Sequence, residues 1–477
     1  MRLPKSPVLS KTQLEVSVAI ASTTAEPELT RRLIHVEPTS LSMERTSAPH
    51  IAVFPFMSRG HAIPLLHLCA ALLRRGLKLT IFSTPSNSPF CRQSLPQDPG
   101  ICITDLPFPS HPDLPKGCES TEQLPSMDML LPFLNAVKEL RDSFKQSLSE
   151  IAEVNPPICL ISYTFLYWTQ YVAEKLSIPR LTFMGMSAYA TCLSMAITAY
   201  GSPIPKDSEP VLLPGMPHEV RLTHVKVLPE FRTLDPKDPS LAFILETHAA
   251  KRRSYGEILN SFYELEPEFV ETSNGQGRPY WCVGPMCLWD EPKPVERPNM
   301  ELAKCLDWLD MKKDGSVLYV AFGLQARQEE AQMREIGVGL EVSGANFLWA
   351  VRGEPKLDDG FEDKVKGRAL MIRGWVPHIQ VLSHNDVESL VYGVRILGWP
   401  MMAEQSLNGK MVEEDLRVGS RVVWGAGEKG EVVEREVVQR EMVELMREEK
   451  GGKARERGRE IKEKARRAVG DGRLITI

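Results

Sequence analysis

The stretch HIAVFPFMSRGHAIPLLHLCAALLRRGLKLTIFSTP, residues 50–85, contains a complete β–α–β unit. HIAVFPF has the length and apolar character of a buried strand, and LKLTIFSTP is similar. Between them, GHAIPLLHLCAALLRRG has the hydrophobic spacing of a helix and ends at Gly76, a residue typical of helix C-termini. This order predicts two parallel strands joined by a crossover helix.

The same alternation returns in both halves of the chain. In the first half, ICLIS, a helical stretch to Leu176 and IPRLTF repeat the unit. In the second half, SVLYVAFG (316–323) is a predicted strand, QARQEEAQMREIGVGLEVSG a helix and NFLWAVR another strand. The chain is therefore predicted to be an α/β protein of two doubly wound lobes. Such folds bind ligands beyond the carboxyl ends of their strands, here in the cleft between the lobes.

A Pro-rich, charged segment, CLWDEPKPVERPNM at 287–300, is predicted to be the linker between the lobes. It separates a first lobe at 43–286 from a second lobe at 301–477. Residues 1–42 lack hydrophobic periodicity and the apolar core of a signal peptide. Because Met43 opens a short polar lead into the first strand, we expect residues 1–42 to be a disordered or spurious extension.

Composition narrows the class of protein. A length of 477 residues favours two domains, and 43% hydrophobic with 25% charged residues is ordinary for a globular protein. A formal net charge of −5 argues against nucleic-acid and anionic-membrane partners. The nine cysteines show no metal-site spacing, and no apolar run reaches the ~20 residues of a membrane helix. We therefore expect a cytoplasmic protein without nucleic-acid or membrane partners.

Several segments resemble the plant family of UDP-sugar-dependent glycosyltransferases, which share the two-lobed GT-B fold. The resemblance is carried by FPFMSRGHAIPLLHL, FSTPSNSPF, NSFYELEPEF, WCVGP, CLDWLDMKKDGSVLYVAFG and the box WVPHIQVLSHNDVESLVYGVRILGWPMMAEQ at 375–405. It implies a first lobe that binds the acceptor, a second lobe that binds the UDP-sugar, and a central cleft that both lobes face.

The resemblance implies inverting transfer of glucose, or a similar sugar, from UDP to a hydroxyl of a small apolar acceptor such as a flavonoid or other phenolic. It implies no cofactor and no metal ion, because the UDP-sugar is a co-substrate, and a monomer is expected. The acceptor itself is not predicted, since its pocket is built from variable loops such as 107–127 and 185–215.

His61 follows the first strand and the turn MSRG, at the start of the predicted helix. A neutral imidazole there can take a proton from an attacking hydroxyl. A histidine at a helix start is by itself more often without function, and it is the resemblance that implies the role of catalytic base for His61.

A catalytic histidine usually has an acid behind it, which orients the ring and stabilises the imidazolium. The family supplies an aspartate after the strand aligned with ICLIS, but Tyr163 stands there, and no Asp or Glu occurs between Asn155 and Tyr171. A neutral phenol can hydrogen-bond but cannot offset a positive charge. We expect a loss of rate on the order of 10²–10⁴-fold.

The box at 375–405 implies the donor contacts. Trp375 matches the family's tryptophan that stacks on uracil, with Val376 beside it, and His378 stands where a glutamine usually lies beside the base. Glu404 and Gln405 match the acidic residue and glutamine that grip the sugar hydroxyls. These residues are the candidate donor site in the second lobe.

The middle of this box is short. It spans 31 residues, about thirteen fewer than the family's version, and the missing piece is the strand and helix start that hold the diphosphate. In the favoured alignment Val387 joins directly to Glu388, which then matches the family's ribose-binding glutamate. In the other alignment SLVYG replaces the lost strand and Glu388 loses that role. Leu324 adds to the loss, because the family commonly has a Ser or Thr hydroxyl there.

These departures leave a second hypothesis open. The chain is then a catalytically impaired, non-enzymatic relative, or the product of a faulty gene model or splice event. The ending GRLITI stops before the family's final helix, which predicts weaker docking of the lobes. GAGEKG at 425–430 fits a dinucleotide-binding pattern, but the helical run after it is not followed by a strand, so a charged surface loop is expected.

Overall fold

The structure is a computed structural model of the chain. It describes residues 48–204, 209–224, 227, 229–289, 300–313, 315–322, 328–351, 353–373, 381–382, 395–422, 432–446 and 448–470. Residues 1–42, most of the predicted linker and GAGEKG lie outside these ranges, so the predicted domain boundaries and the surface loop stay predictions.

The first half of the chain forms a sheet with helices around it. Its strands are β1 (His50–Phe54), β2 (Lys78–Ser83), β3 (Ile101–Asp105), β4 (Cys159–Tyr163), β5 (Arg180–Met184), β6 (Val211–Leu212), β7 (Arg221–Leu222), β8 (Gly256–Leu259) and β9 (Tyr280–Cys282). Its helices are α1 (Arg59–Arg74), α2 (Ser88–Ser94), α3 (Leu130–Glu139), α4 (Arg141–Val154), α5 (Thr169–Lys175), α6 (Ala188–Tyr200), α7 (Pro229–Thr233), α8 (Pro239–Arg253) and α9 (Pro267–Gly275).

Seven of these strands form one parallel sheet in the order β3-β2-β1-β4-β5-β8-β9, and β6 pairs with β7 in a small antiparallel ladder. Strands β1, β4 and β5 are buried along their whole length, as expected for a parallel sheet covered on both faces. The chain winds outward from β1 to β3 on one side and from β4 to β9 on the other. Such a switch point leaves a crevice at the carboxyl ends of β1 and β4.

The second half repeats the alternation. Its strands are β10 (Val317–Ala321), β11 (Asn346–Val351), β12 (Ala369–Arg373), β13 (Ile396–Gly398) and β14 (Gly419–Arg421). Its helices are α10 (Met300–Asp310), α11 (Glu330–Ser343), α12 (Phe361–Lys364), α13 (Gln405–Lys410), α14 (Arg435–Met446) and α15 (Glu448–Gly470). Strands β10, β11 and β12 pair in parallel, and β13 pairs with β14 in parallel. Phe347 and Trp349 on β11 pack with Ile336 on α11 and Val438 on α14.

The β–α–β units read from the sequence are confirmed. Strands β1 and β2 flank α1, and Gly76 after the helix takes a positive φ of 80°. Strands β10 and β11 flank α11, although this helix begins at Glu330, later than the predicted helix. None of the helices in the described ranges is both long enough and apolar enough to cross a membrane.

The two halves dock through helices from the second one. Leu407 on α13, with Ile461 and Ala465 on α15, is buried in the same cluster as Tyr189 on α6. Helix α15 contains EIKEKARRAV, the segment after which the family has a further helix, and it contacts the first lobe itself. Residues 471–477 lie outside the described ranges, so the expected weakening of this docking stays a prediction.

Candidate active site

His61 lies in the first turn of α1, just beyond the carboxyl end of β1. The backbone carbonyl of Ser58 starts this helix by accepting hydrogen bonds from the N–H groups of His61, at 3.1 Å, and Ala62, at 2.8 Å. The imidazole is half-buried, with the rings of Phe56 and Phe165 each 5.7 Å from it between centroids. The predicted placement of His61 at a helix start is confirmed, and its role as catalytic base stays a prediction.

Tyr163 is the last residue of β4, the strand that pairs with β1. Its hydroxyl lies 2.6 Å from Nδ1 of His61, a hydrogen-bond distance. The ring of Tyr163 is fully buried and stacks against Phe56 at 5.8 Å between centroids. The structure therefore brings Tyr163 to the side of His61 at which the family's aspartate was expected.

Burial dominates the protonation of this pair. It lowers the pKa of His61 below 6.5, and the negative charge of Glu122 acts in the opposite direction. Burial also raises the pKa of Tyr163, and the charge of Glu404 raises it further. At pH 7 the site thus holds a neutral imidazole against a neutral phenol.

Glu122 was missed by the reading of the sequence. It lies in the short 3-10 helix Thr121–Gln123, and its Oε1 accepts hydrogen bonds from the backbone N–H of Arg59, at 2.7 Å, and the hydroxyl of Ser58, at 3.3 Å. The pattern S-T-E-Q signals a local capped turn. Nothing local indicates that this turn docks on the helix that carries His61.

A wall of aromatic rings extends from His61 into the first lobe. Phe165 contacts Phe243 at 5.9 Å, Phe56 contacts Phe133 at 6.1 Å, and Phe133 stacks on Phe108 at 5.8 Å between centroids. Phe108, Phe165 and Phe243 are half-buried, so parts of these rings remain accessible. The surface beside the imidazole is thus suited to a flat apolar molecule.

Glu404 and Gln405 lie at the start of α13 in the second lobe. Glu404 is half-buried, burial raises its pKa, and its Oε1 accepts a hydrogen bond from Asn408 at 3.5 Å. Its negative charge contributes to the raised pKa of Tyr163 in the first lobe. The Oε1 of Gln405 accepts from the backbone N–H groups of Met401 and Met402, at 2.8 and 3.3 Å. The side-chain NH₂ of Gln405 is the part that can donate to a ligand.

The remaining candidate donor residues, Trp375, Val376, His378 and Glu388, lie outside the described residues, as does Leu324. Across the described ranges, no group of three or more His, Cys, Asp or Glu side chains is arranged to hold a metal ion. The described part of the site therefore contains His61 with Tyr163, the aromatic rings beside them in the first lobe, and Glu404 with Gln405 in the second lobe.

Polar contacts connect the lobes next to this site. The hydroxyl of Ser187, before α6, donates to Oδ1 of Asn408 on α13 at 3.4 Å. The ring of His218 lies between the carboxylates of Glu268 in the first lobe, at 3.0 Å, and Asp415 in the second, at 3.4 Å. These contacts join the first lobe to α13 and to the segment that follows it.

Comparisons with known proteins agree with this architecture. No protein-family model matches the chain. Over 457 residues the chain is 37% identical to UDP-glycosyltransferase 90A1 of Arabidopsis thaliana, which covers 89% of this chain and 93% of that one. It is 34% identical over 455 residues to scopoletin glucosyltransferase of Nicotiana tabacum, with 89% and 94% covered.

Among solved structures, UGT2 of Phytolacca americana, complexed with UDP-2-fluoro-glucose and pterostilbene, is similar with a TM-score of 0.72. The identity is 27%, and the alignment covers 89% of this chain and 95% of that one. A shared architecture at this score over nearly the whole chain confirms the predicted GT-B-like α/β fold.

Proposed function

This chain belongs to the plant family of UDP-glycosyltransferases, and on that premise we propose that it transfers glucose, or a similar sugar, from UDP to a hydroxyl of a small apolar acceptor. Family membership makes it a UDP-sugar-dependent transferase, in which the UDP-sugar is a co-substrate. The observation that carries the proposal is the position of His61 at the start of α1, beyond the carboxyl end of β1, with the hydroxyl of Tyr163 at its Nδ1.

In the proposed reaction His61 is the catalytic base. The acceptor oxygen attacks the anomeric carbon of the sugar while its proton passes to Nε2 of His61. A bond forms between this oxygen and the anomeric carbon, and the bond from that carbon to the diphosphate breaks. UDP leaves with the electron pair from the face opposite the attack, so the configuration inverts. The lowered pKa of His61 supports this role, because the base form is the neutral one.

We assign the acceptor to the aromatic wall of the first lobe. The half-buried rings of Phe165 and Phe243 beside His61 suit a flat ring system such as a flavonoid or other phenolic. The name scopoletin glucosyltransferase and the pterostilbene bound to UGT2 support a phenolic acceptor.

We assign the donor to the second lobe. Trp375 and Val376 with His378 would hold uracil, and Glu388 would hold ribose. Glu404 and the NH₂ of Gln405 would hold the sugar hydroxyls. The described geometry supports the last assignment. The Oε1 of Gln405 accepts a hydrogen bond from the backbone N–H of Met401, and the side-chain NH₂ of Gln405 can donate to a ligand.

A second candidate is a catalytically impaired relative or a faulty gene product. The observations that favour it are the box of 31 residues, which lacks the family's diphosphate-binding segment, and the tyrosine at position 163. Sequencing the transcript across Val387–Glu388 distinguishes an impaired relative from a faulty gene product. Recovery of the missing segment there would make the shortened box an error of gene prediction.

The test of the main proposal is an assay of the purified chain with UDP-glucose and a panel of flavonoids and simpler phenolics. The expected result is an acceptor that gains one hexose by mass spectrometry, with UDP released in equal amount, and no product from a His61→Ala variant. Absence of product from this chain, together with turnover by a version carrying the restored box segment, would overturn the proposal for this chain and favour the second candidate.

A further inference from the structure

The turn that carries His61 is held by a carboxylate. The Oε1 of Glu122 accepts hydrogen bonds from the backbone N–H of Arg59 at 2.7 Å and from the hydroxyl of Ser58 at 3.3 Å. These donors lie two and three residues before His61. The negative charge therefore lies at the N-terminal end of α1, where it also interacts favourably with the helix dipole.

The carboxylate is held in place from its own side as well. The N–H of Thr121 donates to the carbonyl of Met57 at 3.0 Å, which ties this segment to the end of β1. The side-chain oxygen of Gln123 accepts from the N–H groups of Glu119 and Ser120, at 2.8 and 3.0 Å, and closes the turn around Glu122. A charge held in this way needs little reorganisation when a positive charge develops beside it.

Among the described residues, the other groups that contact His61 do not supply a negative charge. Tyr163, from β4, contributes a phenol hydroxyl, and Phe56 and Phe165 contribute neutral rings. The guanidinium of Arg59, on the same helix, lies over the ring of Phe90 at 5.4 Å. Glu404, from the second lobe, acts on Tyr163, whereas the charge of Glu122 acts on His61 itself.

We propose that Glu122 is a positioning residue for the transfer reaction, which holds the helix turn of His61 and stabilises the imidazolium formed when His61 takes the acceptor proton. This inference rests on the proposed function. Glu122, in a loop of the first lobe, would thereby provide part of the stabilisation of the imidazolium that an aspartate at position 163 would provide. Because Glu122 is half-buried and solvent screens its charge, the support is weaker than that of a buried carboxylate in direct contact.

The substitution Glu122→Gln separates charge from structure. Glutamine keeps an oxygen that can accept from Arg59 and Ser58, so the turn can form, while the negative charge is lost. Glu119→Gln is the matched control, because Glu119 lies in the same segment and its carboxylate instead accepts from the N–H of Ser86 at 2.9 Å. Glu122→Asp keeps the charge on a shorter side chain.

The first measurement is an NMR titration of His61 in the full-length chain without substrates, with its signal assigned from a His61→Gln variant. The pKa of His61 is expected to fall by about half a unit to one unit in Glu122→Gln, and to stay unchanged in Glu119→Gln. In Glu122→Asp it is expected to stay near that of the unsubstituted chain. An unchanged pKa in a folded Glu122→Gln variant would overturn the proposal. If that variant does not fold, a fall of half a unit or more in the Glu119→Gln control would do so, because the effect of charge on His61 would then not be specific to Glu122.

The second measurement is turnover with a phenolic acceptor found in the panel. We expect kcat to fall about three- to tenfold in Glu122→Gln, with KM for both substrates within about twofold, because the charge acts on the developing imidazolium rather than on binding. An equal loss of kcat in Glu119→Gln would reveal a merely structural effect and contradict the proposal. The titration needs no turnover, so a failure of the proposed function leaves the effect of Glu122 on His61 measurable.

Discussion

The hydroxyl oxygen of Tyr163 lies 2.6 Å from Nδ1 of His61, although the two residues are 102 positions apart in the chain. A phenol hydroxyl can donate or accept in this contact, so the imidazole can carry its proton on either nitrogen. A carboxylate in the same place would only accept, and would leave Nε2 free for the acceptor proton. The tyrosine therefore does not select the tautomer that a catalytic base requires.

Replacing the proposed base is expected to remove transfer without removing the donor site. In His61→Ala we expect kcat to fall on the order of 10²–10⁴-fold, the usual contribution of a general base. Affinity for UDP, measured by calorimetry, is expected to stay within about twofold, because the proposed donor contacts lie in the other lobe. His67→Gln, on the same helix, is the control and is expected to keep its activity. Full turnover in His61→Ala would exclude this residue as the base.

Restoring a carboxylate at position 163 tests the partner of His61. If the second candidate holds, Tyr163→Asp alone is expected to rescue little turnover in this chain, because the segment that would hold the sugar diphosphate for His61 is then missing. In a version with the box segment restored, the same substitution is expected to raise kcat on the order of 10²–10⁴-fold. Product formation under saturating donor measures both effects. A large gain in the unrestored chain would show that the donor is held without the segment.

If the box of 31 residues lacks the family's diphosphate-binding segment, the loss of donor affinity is expected to be uneven. Uridine is expected to bind this chain nearly as well as the restored version, since the favoured alignment keeps Trp375 for uracil and Glu388 for ribose. UDP is expected to bind far more weakly, because charge-assisted hydrogen bonds to phosphate contribute roughly 1.5–3 kcal/mol each. Losing two or three of them corresponds to about 3–9 kcal/mol, an upper range because such contributions are not additive. Calorimetric titration of both ligands against both versions measures this, and equal gains for uridine and UDP on restoration would place the missing segment elsewhere on the donor.

The pH profile of transfer is expected to follow His61. Burial holds its pKa below the ordinary 6.5, with Glu122 opposing, so the active neutral form predominates at pH 7. We expect kcat/KM to be flat from about pH 7 to 8 and to fall only below about pH 6.5, where the free imidazole becomes protonated. Initial rates across a buffer series test this. An acid limb centred above pH 7 would mean that a different group, or a His61 with a raised pKa, limits the reaction.

Acid stability is expected to depend on a second histidine, away from the site. His248 on α8 contacts the hydroxyls of Ser194 at 3.3 Å and Thr198 at 3.0 Å, and burial with nearby cations lowers its pKa to about 3. Between pH 6.5 and about 3 the unfolded chain binds a proton at this residue that the folded chain does not bind. The folded state is thus destabilised as the pH falls, by about 1.4 kcal/mol per pH unit at most.

The substitution His248→Gln removes this titration. Urea unfolding at pH 7.5 and at pH 5 is expected to show a smaller loss of unfolding free energy in the variant than in the unsubstituted chain. The variant itself is expected to be less stable at pH 7.5 by on the order of 1 kcal/mol, because its hydrogen bonds to α6 are altered. The same acid-induced loss in both proteins would show that His248 does not titrate in this range.

Much of the secondary structure of this protein follows from local sequence signals. The strands β1 and β2, the helix between them and its end before Gly76 follow from hydrophobic spacing and a terminal glycine, which act over a few residues. The placement of His61 at a helix start follows from the same signals. The count of 31 residues in the box, and the tyrosine at position 163, are properties of the sequence that need no structure to be seen.

Only the tertiary structure decided which side chains meet. The contact between Tyr163 and His61 exists because β4 pairs with β1, and strand order in a parallel sheet is set by packing of the whole lobe. Glu122 reaches the first turn of α1 because its loop folds back over the carboxyl end of β1. Helix α13, which follows Glu404, packs on the first lobe because Leu407 is buried in the same cluster as Tyr189. Loop docking and the packing of one lobe on another depend on the shapes of surfaces built from residues far apart in the chain, and no local periodicity encodes them.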